Sequence, residues 1–270
     1  MKYEELGLSN DFMFGKIMRN EKICRPFLER LLGFQIHHIE YLEPQKTVDL
    51  KLDAKSVRFD IYVDDGETVY DCEMQTTSQK ELPKRSRYYQ GQIDMNLINR
   101  GESYRKLKRS FVIFICTFDP FGKGSWVYRF ENVCREFPEL LLKDGAVKIF
   151  FNTHGINDVV SEEVKDLLRY LETSVKPKAK DPLLEDMEQA LESARANKEW
   201  RHDYMTLQVL LDDTKEEGRV EGRVEGRVEG EKKLGMLIQR LISEGKNDQI
   251  GIVVADEEKR QEAYKMYGIE

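Results

Sequence analysis

Two alternating runs joined by DDGE, in RFDIYVDDGETVYDCEMQ at 58–75, constrain this chain of 270 residues more than any other stretch. Asp65-Gly66 is the strongest short hairpin signal a sequence can carry. With those two residues as the turn, Asp64 pairs with Glu67, Asp60 faces Asp71 and Arg58 faces Glu73. Side chains alternate along a strand, so Phe59, Ile61, Val63, Tyr70, Cys72 and Met74 line one, apolar face. Arg58, Asp60, Tyr62, Asp71, Glu73 and Gln75 line the other, and a slip of one residue would mix the two sets.

The polar face has two readings: a wet surface with scattered acids, or a site on which acids converge. In this register Asp60 and Glu73 are diagonal neighbours, their backbones about 7 to 8 Å apart, so that both carboxylates can reach one cation. Two carboxylates, a backbone carbonyl and several waters suit a hard, octahedral ion such as magnesium. That ion lowers the pKa of a bound water and stabilises charge on a phosphodiester during in-line attack. Gln75 can orient the water through its amide but supplies no positive charge. Asp71 can join the site or merely be solvated, and solvation is the expectation.

Around the hairpin, Ser9 or Asn10 can cap a helix running through DFMFGKIMRNEKICRPFLERLL, with Gly33 as its stop. Strands are expected at 36–43, 57–63 and 68–75, followed by a helix from LPKRSRYYQG to Gly101. FVIFICTF at 111–118 is a continuous apolar run, the mark of a strand buried on both faces. Shorter strands at 126–131 and 147–152 and a helix at 161–171 complete a first domain, 1–175. VKPKAKDP provides a linker at 176–182, and 183–270 is a helical tail. Within the tail, residues 217–230 repeat EGRV; as a helix this stacks Val220, Val224 and Val228 but also like charges at i,i+4, and its glycines each cost about 1 kcal/mol relative to alanine. Alone it should fray, and it serves either as a self-association surface or as a flexible spacer.

The charge of −7 is unevenly placed. The last ninety residues hold 22 acids and 14 bases, which leaves the first 180 near +1, and residues 80–109 carry nine bases against three acids. That basic stretch follows the hairpin directly and is either a solvated helix surface or a nucleic-acid footprint. Cys24, Cys72, Cys116 and Cys134 lie far apart with no CxxC pair, which argues against a disulfide scaffold and a thiolate zinc site. No HExxH pattern occurs, and no run approaches the roughly 20 apolar residues of a membrane span. A soluble, cytoplasmic protein is expected.

Four stretches, NDFMFGKIMRN at 10–20, FDIYVDDGETVYDCEMQ at 59–75, LPKRSRYYQGQID at 82–94 and FVIFICTFDPFG at 111–122, resemble the PD-(D/E)XK nuclease superfamily and, within it, the recombination-promoting nuclease or transposase-associated family. The resemblance covers about residues 6–155. It implies an α/β fold, a restriction-endonuclease-like αβββαβ core with a mixed central sheet followed by the helical tail, and metal-dependent cleavage of DNA. Asp60 then matches the motif's first acid and Glu73 its second, both metal ligands, with the Met74 carbonyl a third. Magnesium is the implied cofactor, with manganese able to substitute. Gln75 stands where the superfamily has lysine. Asp11 matches an acid that approaches the metal in related nucleases, or serves only as a favourable acid at a helix start. Lys84, Arg85 and Arg87 are the expected phosphate contacts. The alternatives are a non-cleaving DNA-binding or interaction module derived from a mobile element, and a nuclease acting on RNA. No membrane partner is expected, and the tail is a candidate for homodimer formation.

Overall fold

Two asparagines organise the N-terminal helices. The Asn10 side chain accepts a hydrogen bond from the Met13 amide (3.2 Å) and starts α1, Asp11–Ile17. Asn20 accepts one from the Lys22 amide (3.1 Å) and starts α2, Glu21–Leu32. Such caps satisfy amides that have no intrahelical partner. The second cap restarts the helix, so the single helix expected from Asp11 to Gly33 is two. Gly33 ends α2 in the left-handed conformation at φ 77°, as expected. These features come from a computed structural model that describes residues 2–42, 59–78, 80–157 and 159–269.

Of the strand expected at 36–43, the described residues 36–42 form only β1, Glu40–Tyr41, which pairs with the hairpin's first strand; residue 43 lies outside the described residues. Arg58 and the start of the strand expected at 57–63 lie outside the described residues. β2, Ile61–Asp64, and β3, Thr68–Gln75, form the hairpin, but Tyr62 faces Asp71 and Asp64 faces Val69. This register differs by two residues from the expected one. The Asp65 amide donates to the Thr68 carbonyl (3.0 Å), which leaves Gly66-Glu67 as the central pair of the turn. Gly66 has φ 98° and Glu67 does not have a positive φ. That is the pattern of a II′ turn, which favours glycine at its first central position. The Asp65 carboxylate reinforces it by accepting from the Glu67 and Thr68 amides (3.0 and 2.7 Å).

Because the shift is even, the two faces of the paired strands keep their side chains. Upstream the chain bends at Asp60, and Phe59 departs from the expected face: its ring stacks on Tyr62 (4.7 Å between centroids) and meets Tyr89 edge-on (5.4 Å).

α3, Leu82–Leu97, carries Pro83 in its first turn, where no amide is needed. It links β3 to β4, Arg109–Cys116, which pairs parallel to β3; parallel neighbours need such a crossover. β5, Val127–Phe130, and β6, Ala146–Asn152, follow. The sheet order is β1-β2-β3-β4-β6-β5, with β3, β4 and β6 parallel and the remaining pairs antiparallel. This is the αβββαβ core with a mixed sheet.

On one side of the sheet, Val69, Val112, Phe114, Cys116 and Phe150 pack against Leu82, Tyr89 and Ile93 of α3. On the other, Cys72, Phe111, Ile113, Ile115 and Ile149 are fully buried, and α1 lies against β3. α4, Glu162–Thr173, packs on α2, and α5, Pro182–Ala196, packs on α1 and α2. Asp181 caps α5 and is also gripped by both terminal nitrogens of Arg30.

The chain forms two compact units, Met1–Arg201 and His202–Glu270. The first therefore includes α5, which the sequence places in the tail. α6 spans Lys198–Ser243 and runs unbroken through the EGRV repeat, which was expected to fray. Helical sequence on both sides supplies the nucleus that a short isolated segment lacks. In the second unit Leu237 and Leu241 of α6 bury against Val253 of α7, Asn247–Ala255, with Tyr264 and Tyr267 of α8, Glu257–Tyr267, at the edge.

Candidate active site

The corrected register brings Asp60 and Glu73 closer than the diagonal placement did. Continuing the pairing of Ile61 with Cys72 by one residue sets Asp60 directly opposite Glu73. Two reciprocal hydrogen bonds hold them: the Asp60 amide donates to Glu73 Oε1 (3.0 Å), and the Met74 amide donates to Asp60 Oδ2 (3.0 Å). Each acid is thereby fixed by the other's strand.

The face is not wet, because α3 covers it. Glu73 is 2 % exposed and Gln75 5 %. Asp71, expected in solvent, is completely buried, and neither of its carboxyl oxygens accepts a hydrogen bond among the described residues. An unpaired buried carboxylate is costly, so Asp71 favours its neutral form: burial raises its pKa well above the ordinary value, with the charges of Glu73 and Asp60 adding to it. Burial, then the charge of Glu73, pushes Asp60 up to about 8. Burial raises Glu73 as well, against the opposing pull of the Asp60 amide and Arg85.

Arg85, in the first turn of α3, supplies the countercharge. Its Nη2 donates to Glu73 Oε2 (2.9 Å), its Nη1 to Gln75 Oε1 (2.6 Å), and Nε and Nη2 both reach the Tyr89 hydroxyl (3.0 and 2.7 Å). The guanidinium also lies over the rings of Tyr89 (5.0 Å) and Phe114 (5.4 Å). Of the three expected phosphate contacts, Lys84 and Arg87 are exposed on α3, whereas Arg85 turns inward and spends its donors on the site. The lysine missing from position 75 thus has a positive charge beside it after all, delivered from a helix. A sequence signal for this existed. Leu82, Ser86, Tyr89 and Ile93 mark the buried stripe of α3, and Arg85 stands four residues before Tyr89, on the edge of that stripe. Neither this nor the burial of Asp71 was read from the sequence.

Asp11 opens α1 as an exposed residue whose Oδ1 accepts from the Phe12 amide (2.7 Å). Its charge is felt at Asp60, where it adds to the raised pKa. α1 can approach so closely because Gly15 faces the Asp60 backbone; a Cβ there would sit 3.3 Å from the Asp60 carbonyl oxygen.

Among the described residues no group of three or more His, Cys, Asp or Glu side chains is arranged to hold a metal. The candidate centre is the pair Asp60 and Glu73. Three facing acids against one arginine leave the site short of positive charge, and carboxylate oxygens are the donors a hard divalent cation prefers. Asp60 Oδ1 accepts no hydrogen bond among the described residues. The residues present fit such an ion.

The family model for PD-(D/E)XK nuclease family transposases matches residues 8–216, most of the chain and all of the sheet. The chain belongs to that family. No curated protein and no solved structure matches it. Membership in the PD-(D/E)XK transposases makes the activity nuclease-type and the substrate class nucleic acid, and the mixed sheet with its central hairpin is the fold that goes with it. No described helix is long and apolar enough to cross a membrane.

Proposed function

We propose that this PD-(D/E)XK transposase relative is a DNA endonuclease dependent on magnesium, with manganese able to replace it, and that Asp60 and Glu73 hold the ion. The observation carrying this is the placement of the two acids opposite one another across the hairpin, each hydrogen-bonded to the other's strand. When bound there, a divalent ion activates water and offsets charge building on the scissile phosphate.

The chain's own groups supply the rest. Gln75 is held by Arg85 at Oε1, and its Nε2 donates to the Thr77 carbonyl (2.6 Å), so the amide oxygen is fixed and its second lone pair can accept a hydrogen bond that orients the attacking water. Arg85 donates to both Glu73 and Gln75 and contributes fixed positive charge that needs no reorganisation during reaction. The Met74 carbonyl is the third oxygen ligand of this reading, and Asp11 tunes the field at Asp60. Lys84 and Arg87, exposed near the start of α3 where Arg85 meets the acids, engage backbone phosphates, with the exposed Lys80 just before the helix.

The test is conversion of supercoiled plasmid to nicked or linear product with magnesium or manganese. Glu73→Ala should abolish it; cleavage at the unmodified rate in a clean preparation of that variant removes the assigned centre. A second reading, a DNA-binding module without cleavage, is favoured by the commitment of both Glu73 oxygens to partners within the chain. Intact plasmid under every divalent ion with gel-shift binding retained would choose it. Matched DNA and RNA oligonucleotides decide the substrate.

A further inference from the structure

We infer that a pocket beside the acids, walled by Phe121, Phe130 and Phe150, takes one unpaired base of the nucleic-acid substrate. The inference rests on the nuclease reading for its substrate and adds what that substrate presents to the protein. α3 packs on β4, and past its edge the same face of the sheet continues onto β6 and β5. A cavity of about 260 Å³ lies there, with Pro83 and Ser86 of α3 on one side and Lys148 and Phe150 of β6 and Phe130 of β5 on the other. Pockets that enclose a whole small molecule run to roughly 300 to 1,000 Å³, so this one has room for part of a molecule.

The sheet register ties this pocket to the acids. Glu73 pairs with Phe114, Phe114 with Phe150 and Phe150 with Tyr128, so the pocket's floor stands in the same row as Glu73. Neighbouring strands lie about 4.8 Å apart, which sets Phe150 about 10 Å from Glu73. Side-chain contact along the row is continuous: the Arg85 guanidinium lies over Phe114 (5.4 Å), and Phe114 stacks on Phe150 (5.5 Å, 10°). A strand whose phosphate sits at the acids can therefore place a nearby base in the pocket.

The lining has the chemistry of a base. Phe150 meets Phe121 and Phe130 at near right angles (5.1 and 5.7 Å between centroids), and Phe130 keeps 44 % of its surface exposed at the sheet's edge. A base brings an aromatic face that stacks on such rings and an edge of donors and acceptors. Glu131, Asn132 and Lys148 offer that edge a carboxylate, an amide and an ammonium. The Glu131 and Lys148 side chains make no hydrogen bond with any described residue, and Asn132 gives its Nδ2 to Asp144 (2.7 Å), which leaves its amide oxygen. An apolar side chain in the pocket would desolvate these groups without pairing them. Exposed Arg87 lies four residues after Pro83 and so on the same side of α3, with Lys84 adjacent, which sets positive charge where the phosphates joined to a bound base would run. Within a duplex a base is paired at its edge and stacked on both faces, so the occupant comes from a single strand or is extruded from the helix.

The test uses the full chain without divalent ion, so that binding is read apart from cleavage, and follows fluorescence anisotropy of labelled DNA. Phe130→Ala should weaken binding of a mixed-sequence single strand by about 5- to 150-fold, the weight of one base stacked on an aromatic ring. Phe130→Tyr should retain the affinity, and Phe130→Leu, similar in bulk but without a ring, should not. A fully paired duplex and a strand of abasic sugars should bind all four proteins alike. Single-strand affinity indifferent to Phe130, or an abasic strand that responds to it equally, overturns the inference. Independently of any variant, a single strand carrying 5-iodouracil should crosslink on irradiation to peptides holding Phe121, Phe130 or Phe150, and Ala146→Leu, which fills the cavity, should remove that product. Crosslinks confined to other peptides overturn it, and this arm decides should Phe130→Ala change the fold by circular dichroism. Plasmid cleavage with no dependence of binding on Phe130 would sink the pocket and leave the nuclease; base-dependent binding with plasmid intact under every divalent ion would do the opposite. DNA that does not bind at all removes both.

Discussion

Replacing Arg85 by methionine removes the one positive charge among three acids, together with the guanidinium that lies over Tyr89 and Phe114, while keeping an unbranched apolar stem. Glu73 is 2 % exposed at its side chain and Arg85 31 %, so the pair is buried on one side and partly wet on the other. Breaking a fully buried pair by removing one partner costs about 3 to 5 kcal/mol, and an exposed one about 1 or less. The guanidinium also leaves Gln75 Oε1 and the Tyr89 hydroxyl without their donor. A loss of about 3 kcal/mol at neutral pH is the expected value, reading between the two limits.

The loss should shrink in acid. Without the arginine, Glu73 holds its proton to higher pH in the folded state than in the unfolded one, and a group with its folded pKa raised loses stability as pH rises. Urea unfolding of metal-free protein at several pH values measures this. Magnesium at about a hundred times its Kd should restore about 2.7 kcal/mol, since it binds the folded state alone. Methionine tolerated without cost in metal-free protein, together with plasmid cleavage at the original rate, would refute the assignment of Arg85 as the centre's countercharge.

Three further outcomes are expected. Metal-free protein should become less stable as pH rises from about 4 to about 8, because burial and Glu73 raise the Asp60 pKa to about 8 in the folded state; magnesium should flatten that slope in an unfolding series. Gln75→Lys, although it writes the superfamily's lysine into the motif, sets a cation against Arg85 Nη1 and forfeits its 2.6 Å bond, so it should destabilise by about 1 to 3 kcal/mol, and Arg85→Met in the same chain should recover part of the loss. Lys84→Ala with Arg87→Ala, both exposed, should leave stability within about 0.5 kcal/mol while weakening DNA binding and reducing its salt slope by about 1 per lost phosphate contact.

The sequence by itself determined the elements whose causes are local. Alternation at 61–64 and 68–75, the glycine that ends α2, the proline that opens α3 and the apolar run of β4 all stand where their residue types require. That Asp60 and Glu73 stand on one face of the hairpin, close together on neighbouring strands, was legible from the two-residue period. Their direct opposition was not, because it depends on which two residues occupy the turn, and both DG and GE can do so.

What only the tertiary structure decided is what covers the hairpin's polar face. Alternation separates the two faces of a strand but is silent about which is wet, and here α3 lies across the acids as the crossover between two parallel strands. That one packing decision buries Asp71, turns Arg85 from a surface base into the partner of Glu73 and Gln75, and raises the acids' pKa values by taking them out of water. Charge and burial depend on neighbours distant in sequence, and those neighbours exist only once the sheet has closed over the helix.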